Sequence, residues 1–507
     1  MSLVNEVISF FIKRRKLRIE EFKKFPIETQ SEVFFSLIER ARFTEFGLKH
    51  NFNSITSIKE FQERVPVVTY EDHYPWIERI MRGEKNILWP SEIKWFSKSS
   101  GTTNSRSKFI PVSDESLEEC NYRGGKDLLT LYFENRPDSQ LFEGKSISIG
   151  GSLHANPFHT DALVGDISAI ITRNMPSWAE MFRIPPPEIA LLDKWEEKMA
   201  KMVELCSTEN VTSIAGVPTW TVVLIESIIE KMGAKNALEI WPNFEAFFHG
   251  AVSFTPYRHL FSEKLFPSDQ VKYLETYNAS EGFFAIQDDF ALKDQMLLML
   301  DYGVFYEFLP MEEWDNEFPK ALTLDEVELE KSYAMVISTN GGLWRYKIGD
   351  TIKFTSKYPF RIKITGRTKH FINAFGEELM VENADQAIAY ASQIAGIDVL
   401  DYTAGPIFMD ADSKGGHQWV IECSEIPTNC EAFTQNLDKK LKEVNSDYDA
   451  KRQNDIALTI PKVHYVKHGT FYQWMEKRGK LGGQNKVPRL SNTREFIDDI
   501  IQTFNLN

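Results

Sequence analysis

Ser97-Lys98-Ser99-Ser100-Gly101-Thr102-Thr103-Asn104-Ser105-Arg106-Ser107-Lys108 crowds hydroxyl side chains around a single glycine and closes on a lysine. The residues before it, Ile93-Lys94-Trp95-Phe96, and after it, Phe109-Ile110-Pro111-Val112, are apolar enough for strands, so the run reads as a loop between two of them. Such a loop offers backbone N–H groups at Gly101, hydroxyl donors from Ser99, Ser100, Thr102 and Thr103, and the point charge of Lys108. That is the chemistry a polyphosphate needs. It is not a Walker A loop, because the second glycine is missing and no Ser or Thr follows the lysine. A surface turn also favours Ser and Thr. A turn uses one or two of them, and here six hydroxyl residues fall between positions 98 and 108.

Outward from this loop, the chain sets its own limits. Its 507 residues suffice for two or three domains, and 42% hydrophobic with 26% charged residues is an ordinary globular balance. Lys+Arg 58 against Asp+Glu 73 gives a net charge of −15, which argues against nucleic acid or an anionic membrane surface as the main partner. A local basic pocket for ATP is compatible with that balance. Cys120, Cys206, Cys423 and Cys430 are too scattered for a metal site and read as thiols in a reducing compartment. At the N-terminus the apolar run Val7 to Ile12 precedes the basic cluster Lys13 to Lys16, the reverse of a secretory signal. The expected location is therefore the cytoplasm.

The pattern of elements predicts an α/β fold. Helical spacing dominates up to about residue 65, Val65-Pro66 breaks it, and a further helix runs to about Arg82. After the loop come a helix over 114–133, a buried strand over 144–152, a helix over 188–205, a strand over 212–216 and a helix from about 219 to 232. Such alternation predicts sheets covered by helices. Gly216-Val217-Pro218-Thr219-Trp220 joins a strand to a helix, and ligands of open α/β sheets sit beyond such strand ends. Trp220 and Phe248 are accordingly candidates for lining a ligand pocket. The stretches 296–300 and 304–309 read as paired strands around the turn Asp301-Tyr302-Gly303. The last 140 or so residues read as a separate α+β domain: helices over 381–394, 430–444 and 471–477, strands near 398–402, 418–423 and 462–466. A final helix is expected behind an Asn492-x-x-Glu495 cap.

Five further stretches stand out downstream of the loop. Phe247-Phe248-His249-Gly250-Ala251-Val252-Ser253 is an apolar strand running into small residues. Tyr277-Asn278-Ala279-Ser280-Glu281-Gly282 closes another strand. Leu343-Trp344-Arg345-Tyr346-Lys347-Ile348-Gly349-Asp350 and Gly366-Arg367-Thr368-Lys369-His370-Phe371-Ile372 follow. Near the C-terminus, Gly482-Gly483-Gln484-Asn485-Lys486-Val487-Pro488-Arg489 places a lysine on a glycine-rich loop. Each is also explained by an ordinary turn, an ion pair or a solvated lysine. Their order is what carries weight.

Ser-Ser-Gly-Thr-Thr-x-x-x-x-Lys resembles the phosphate loop of the adenylate-forming superfamily of acyl-CoA synthetases, peptide-synthetase adenylation domains and luciferases. The helical N-terminus, the Val-Pro-x-x-x-Tyr lead-in, Leu343 to Asp350 and the Lys486 loop resemble, within it, the Gretchen Hagen family of acyl-acid amido synthetases. The resemblance implies a large adenylation domain over 1–366 and a smaller mobile α+β domain over 367–507. It implies that Ser99, Ser100, Gly101, Thr102, Thr103, Lys108 and Ser280 hold the ATP phosphates and that Glu281 holds Mg²⁺. It further implies that Gly250, Ala251, Ser253 and Tyr277 flank adenine, that Asp350 and Arg367 meet the ribose, that the pocket lined by Trp220 and Phe248 is the acyl pocket, and that Lys486 is the swinging catalytic lysine. The implied reaction adenylates a carboxylic acid and passes the acyl group to an amine, commonly that of an amino acid. A thiol acceptor such as coenzyme A would give a thioester instead, and a non-catalytic ATP or adenylate sensor is the rival from another class. Three positions depart from the pattern: Ser105 where glycine is frequent, His370 where aspartate is frequent, and the reversed order Gln484-Asn485.

Overall fold

The computed structural model describes residues 3–99, 108–158, 160–251, 254–314, 316–367, 371–372, 377, 379–408, 415–452, 458–481, 486–491 and 493–506. Its centre is an eleven-stranded mixed sheet. At one end Arg183–Ile184, Lys145–Ser148, Val211–Gly216, Ala246–Gly250 and Lys272–Ala279 lie side by side and run parallel. The sheet continues antiparallel through Gly282–Ile286, Met296–Leu298, Phe360–Arg367, Tyr346–Lys357 and Ser332–Thr339 to the edge strand Val304–Pro310. The expected α/β class with helix-covered sheets is the one observed.

The parallel half is covered on both faces, which is why its strands are short continuous apolar runs. On one face Phe247 stacks on Phe261 at 4.7 Å. On the other its neighbour Phe248 meets the Tyr132 ring edge-on at 5.5 Å. The covering helix Pro218–Met232 starts on a proline, whose missing N–H is unneeded in a first turn, and stops at Gly233 with φ +64°. Over the antiparallel half pack the N-terminal helices, including Pro26–Ala41 and Ile58–Arg64, which bury Phe34, Leu37 and Phe61. A four-stranded sheet, ordered Lys108–Val112, Trp95–Ser99, Leu163–Gly165 and Leu153–Ala155, stands beside the main one.

Three expectations give way to tertiary contacts. The stretches 296–300 and 304–309 do not pair with each other: Met296–Leu298 joins Phe360–Arg367, and Val304–Pro310 joins Ser332–Thr339. The would-be hairpin turn is taken over by side chains. Gln30 donates to the carbonyls of Leu300 at 2.8 Å and Val304 at 3.0 Å, while Tyr302 donates to Asp127 at 2.9 Å. The helix expected over 188–205 is two, Pro187–Ala190 and Trp195–Cys206. The last helix, Glu495–Phe504, is preceded by Arg494 at its cap position, so Glu495 is its first residue and not the third residue of a capping box. Asn492 lies outside the described residues.

The C-terminal part has cores of its own. Helices Val381–Ala395 and Cys430–Val444 bury Ile388, Ala391, Phe433 and Leu437 against a sheet of Val399–Ile407, Gly416–Cys423 and Lys462–Lys467. Phe471, Trp474, Ile497 and Ile500 form a smaller cluster behind it. Among the described residues no helix is long and apolar enough to cross a membrane.

Candidate active site

The strands that flank the hydroxyl run pair with each other. Trp95–Ser99 and Lys108–Val112 pair antiparallel with Ser99 opposite Lys108 as the last register pair. Ser100, Gly101, Thr102 and Thr103 lie outside the described residues. Lys108 therefore sits where the loop returns to the sheet. Its Nζ donates to the Tyr346 hydroxyl at 3.4 Å and lies 5.5 Å from the Tyr70 ring and 5.9 Å from the Tyr346 ring. Tyr70 opens the helix Tyr70–Met81, and its hydroxyl accepts the Phe109 N–H at 2.7 Å, fixing the strand that carries Lys108. Two aromatic faces flank the ammonium and help to hold it.

Two carboxylates act on the tyrosine that holds this cation. Ser280 and Glu281 form the two-residue turn between Lys272–Ala279 and Gly282–Ile286, with Ala279 paired to Gly282. Burial, then the charge of Glu281, then Tyr70, Glu71 and Asp350, raise the Tyr346 hydroxyl well above its ordinary range. Glu281 and Asp350 thus both lie within electrostatic reach of the tyrosine that touches Lys108. Asp350 lies within the strand Tyr346–Lys357, opposite Arg367 in register, and takes a 2.6 Å hydrogen bond from the Tyr277 hydroxyl. Tyr277 and Asp350 are 4% and 5% exposed, so this short bond sets the orientation of the carboxylate. Backbone pairing brings Arg367 to the same edge.

The lysine of the C-terminal loop comes to the same end of the sheet. The Lys486 ammonium donates to the Ala251 carbonyl at 2.5 Å, although 235 residues separate them. Ala251 follows the parallel strand Ala246–Gly250 and has φ +72°, a left-handed conformation that turns its carbonyl off the strand line. Gly250 has no room for a side chain: a Cβ there would lie 2.4 Å from the Thr276 carbonyl oxygen of the next strand. Gly250→Ala is therefore expected to force the two strands apart. The expected cost is about 1–3 kcal/mol of stability, read from denaturant unfolding, with weakened nucleotide binding.

Several predicted positions resolve differently. Ser253 lies outside the described residues. His249 is 1% exposed, stacks on Phe254 at 4.0 Å, and neither ring nitrogen has a hydrogen-bond partner among the described residues. Trp220 meets the ring of Tyr472, on the C-terminal helix Thr470–Lys477, edge-on at 6.2 Å, which makes it a contact between the two parts of the chain. Arg345, the other basic residue of its motif, is not at the site. It pairs with Glu307 through Nε at 2.9 Å and Nη2 at 2.8 Å and donates to the carbonyls of Gln62 and Val65.

Sequence reasoning missed Tyr70 and Tyr346 as the holders of Lys108. Both stood inside quoted motifs, and only the fold places their rings around one ammonium. It also missed His73, on the same helix as Tyr70. His73 is 1% exposed, its Nε2 is 3.5 Å from the Gly342 carbonyl, and burial holds its pKa down at about 4 from 6.5. A histidine kept neutral by folding binds its proton only when unfolded, so the unfolded state gains protons first as pH falls. Stability is accordingly fully present above about pH 6.5 and is lost as pH falls toward about 4, by roughly 3 kcal/mol at the lower end. His73→Leu is expected to flatten that part of the pH–stability curve, as checked by urea unfolding across the range.

With the geometry in place, the chain can be set beside known proteins. The sequence profile of the GH3 family N-terminal domain matches residues 15–271, that of the central domain 297–367 and that of the C-terminal domain 382–495. The indole-3-acetic acid-amido synthetase GH3.3 of Arabidopsis thaliana is 24% identical, over 93% of this chain and 90% of that protein. The 4-substituted benzoates-glutamate ligase GH3.12 of Arabidopsis thaliana is 21% identical over 85% and 87%, respectively. The jasmonoyl-L-amino acid synthetase JAR4 of Nicotiana attenuata is 23% identical over 93% and 92%. Among solved structures, AtGH3.15 acyl acid amido synthetase with 2,4-DB superposes with a TM-score of 0.79 at 17% identity, covering 98% of this chain and 96% of that one. A 2-hydroxyisobutyryl-CoA ligase in the postadenylation state gives 0.57 at 14% identity, covering 97% and 92%.

Proposed function

The chain belongs to the GH3 family, and from that membership we propose that it is an ATP-dependent ligase that adenylates a carboxylic acid and passes the acyl group to the amine of an amino acid. The observation that supports it most directly is the Lys486 ammonium seated on the Ala251 carbonyl, at the strand end beside Asp350, Tyr277 and Lys108.

In the first half-reaction an oxygen of the donor carboxylate attacks the α-phosphorus of ATP, and the bond to pyrophosphate breaks. Lys108, held between Tyr70 and Tyr346, and the hydroxyl run from Ser99 to Thr103 hold the β- and γ-phosphates, with Ser280 beside them. Tyr277 packs beside adenine and orients Asp350, which accepts from the ribose hydroxyls; Gly250, Ala251 and Ser253 line the other side of the base, and Arg367 meets the ribose. Lys486 offsets the negative charge building on the carboxylate and α-phosphate. Glu281, a carboxylate on a hairpin turn near Lys108, fits Mg²⁺, which takes one or two protein carboxylates and fills its remaining positions with phosphate and water oxygens. When bound there, Mg²⁺ would spread the charge of the phosphates. In the second half-reaction the amine attacks the acyl carbonyl, and AMP leaves with the electron pair of the broken C–O bond.

The two halves call for different placements of Lys486, and so for two bodies, 1–366 and 367–507, turning about Arg367 to Lys369. The contacts that would have to part are both apolar and polar. Trp220 meets Tyr472, and Leu400 packs into the core of the large body. Asp398 holds His259 at 2.8 Å and also pairs with Lys264, Arg489 donates to the Tyr257 hydroxyl at 3.0 Å, and His468 lies 3.6 Å from Glu226. Of these, the exposed His468–Glu226 pair is worth about 0–1 kcal/mol, weak enough to exchange.

The test is ATP–pyrophosphate exchange across aryl, indolyl and fatty acids, followed by amide formation with amino acids, with coenzyme A as the competing acceptor. Exchange with one class of acid and amide product with an amino acid establish the reading. Exchange with a thioester as the sole product replaces the acceptor, and ATP binding without exchange replaces the ligase by a sensor.

A further inference from the structure

Arg183 and Lys198 are buried cations that none of the motifs uses. Arg183 opens the edge strand Arg183–Ile184, is 9% exposed, and donates from Nη1 to the Pro185 carbonyl at 3.2 Å. Its Nε and Nη2 have no hydrogen-bond partner among the described residues. Lys198, on the helix Trp195–Cys206, is 2% exposed and donates to the carbonyls of Gly150 at 3.0 Å and Gly151 at 2.9 Å. The two converge on Gly150. A Cβ on that glycine would lie 3.5 Å from the Ala190 carbonyl oxygen, 3.8 Å from Thr172 Oγ1 and 4.0 Å from Arg183 Nη2, so the guanidinium edge stands over a position that carries no side chain.

Charge balance around the two cations is incomplete. Neither cation is in an ion pair with a described residue. The negative groups that reach them are Asp166 and Asp193 for Lys198 and Glu180 for Arg183, and Asp166 already accepts the Ser152 N–H at 3.0 Å. Burial lowers Lys198 to about 8 and Arg183 to about 10, as expected for cations lacking a counter-charge.

We propose that Arg183 and Lys198 form an anion site that takes a carboxylate of an organic substrate, in the first place that of the amino-acid acceptor. The two unpartnered nitrogens, Nε and Nη2, are one edge of the guanidinium fork, which matches the two oxygens of a carboxylate. The site also lies at the right end of the sheet. Gly150 follows the strand Lys145–Ser148, which pairs with Val211–Gly216, which pairs with Ala246–Gly250. Two inter-strand spacings, about 10 Å, therefore separate it from the strand end where Lys486 docks. A second source of the same group is a dicarboxylic acyl donor. This assignment rests on the amido synthetase reading above.

Arg183→Gln, Arg183→Lys and Lys198→Met test it, each compared with the parent chain by circular dichroism for folding. The expected result is an acceptor KM raised about ten- to a hundredfold in amide formation, the size of a lost charge-assisted hydrogen bond, with the donor KM in pyrophosphate exchange unmoved. The amino-acid amide, which lacks the carboxylate, should react equally well with the parent chain and the variants. A raised donor KM in exchange, with the acceptor KM unmoved, keeps the site and reassigns its carboxylate to the donor. Unmoved KM values for both, or equal losses with the amino acid and its amide, overturn the proposal. Should no amide form with any amino acid, thermal stabilisation by glutamate decides independently of turnover. A shift in the parent chain that disappears in both Arg183→Gln and Lys198→Met sustains the site, and no shift in the parent chain overturns it.

Discussion

Lys486→Ala is expected to lower the adenylation rate by about a hundred- to a thousandfold, the effect of removing one preorganised donor from a developing charge. The lysine is fixed from two sides in the resting chain. Its ammonium is on the Ala251 carbonyl, and three residues on, Arg489 locks the loop into the C-terminal core. Arg489 lies 4.5 Å from the Tyr402 ring, 3.3 Å from Asp401 and 3.8 Å from Asp385. Because Lys486 acts on charge that appears only as the carboxylate attacks, ATP affinity should change little while exchange collapses. Supplying a presynthesised acyl-adenylate bypasses the first half, and amide formation from it should be retained within a fewfold. Exchange at the parent rate would remove Lys486 from the mechanism. Loss of both half-reactions together would point instead to a loop needed for folding or domain position.

Arg345→Met carries the second large effect, on stability. Arg345 and Glu307 are 3% and 0% exposed, and the guanidinium is shared between the carboxylate and the carbonyls of Gln62 at 2.9 Å and Val65 at 2.6 Å. Gln62 in turn donates to Glu307 at 2.9 Å, so the pair ties the end of helix Ile58–Arg64 to the edge of the main sheet. Removing one member leaves a buried carboxylate without its counter-charge, which costs about 3–5 kcal/mol. Replacing both, in Arg345→Met with Glu307→Leu, leaves no stranded charge and should recover a good part of that loss. Denaturant unfolding of the single and double variants checks both statements. A single variant as stable as the parent would show that the pair contributes nothing to holding the helices on the sheet. The active site should feel the single change as well, because Tyr346, the partner of Lys108, is the next residue along the chain.

The Arg345 network also shows where reading the chain stops short. Its motif leaves an ion pair or a ligand contact equally open, since both use the same guanidinium. The choice falls to Glu307, 38 residues upstream, which the antiparallel sheet carries to it. The turn Asp301-Tyr302-Gly303 likewise has the residues of a hairpin, yet its flanking strands pair elsewhere because Gln30, 270 residues before Leu300, claims the backbone groups. Ser99 and Lys108, by contrast, are a hairpin-closing pair that local apolar runs sufficed to place.

Residue order alone determined the α/β class, the family and most helix and strand positions. All of these depend on interactions within a few residues: the period of apolar side chains, the turn preference of glycine and proline, the local density of hydroxyls. Tertiary structure alone decided which motif residues meet. It set Tyr277 on Asp350 and Lys486 on Ala251, wrapped Tyr70 and Tyr346 around Lys108, paired Arg345 with Glu307 and brought Trp220 against Tyr472. The physical reason is range. A hydrogen bond or an ion pair is specified by a distance of about 3 Å in space, and residues that far apart in space, such as Lys486 and Ala251, are here 235 and more positions apart in the chain. Only the packing of the whole sheet, with the C-terminal part docked on it, makes those two separations the same fact.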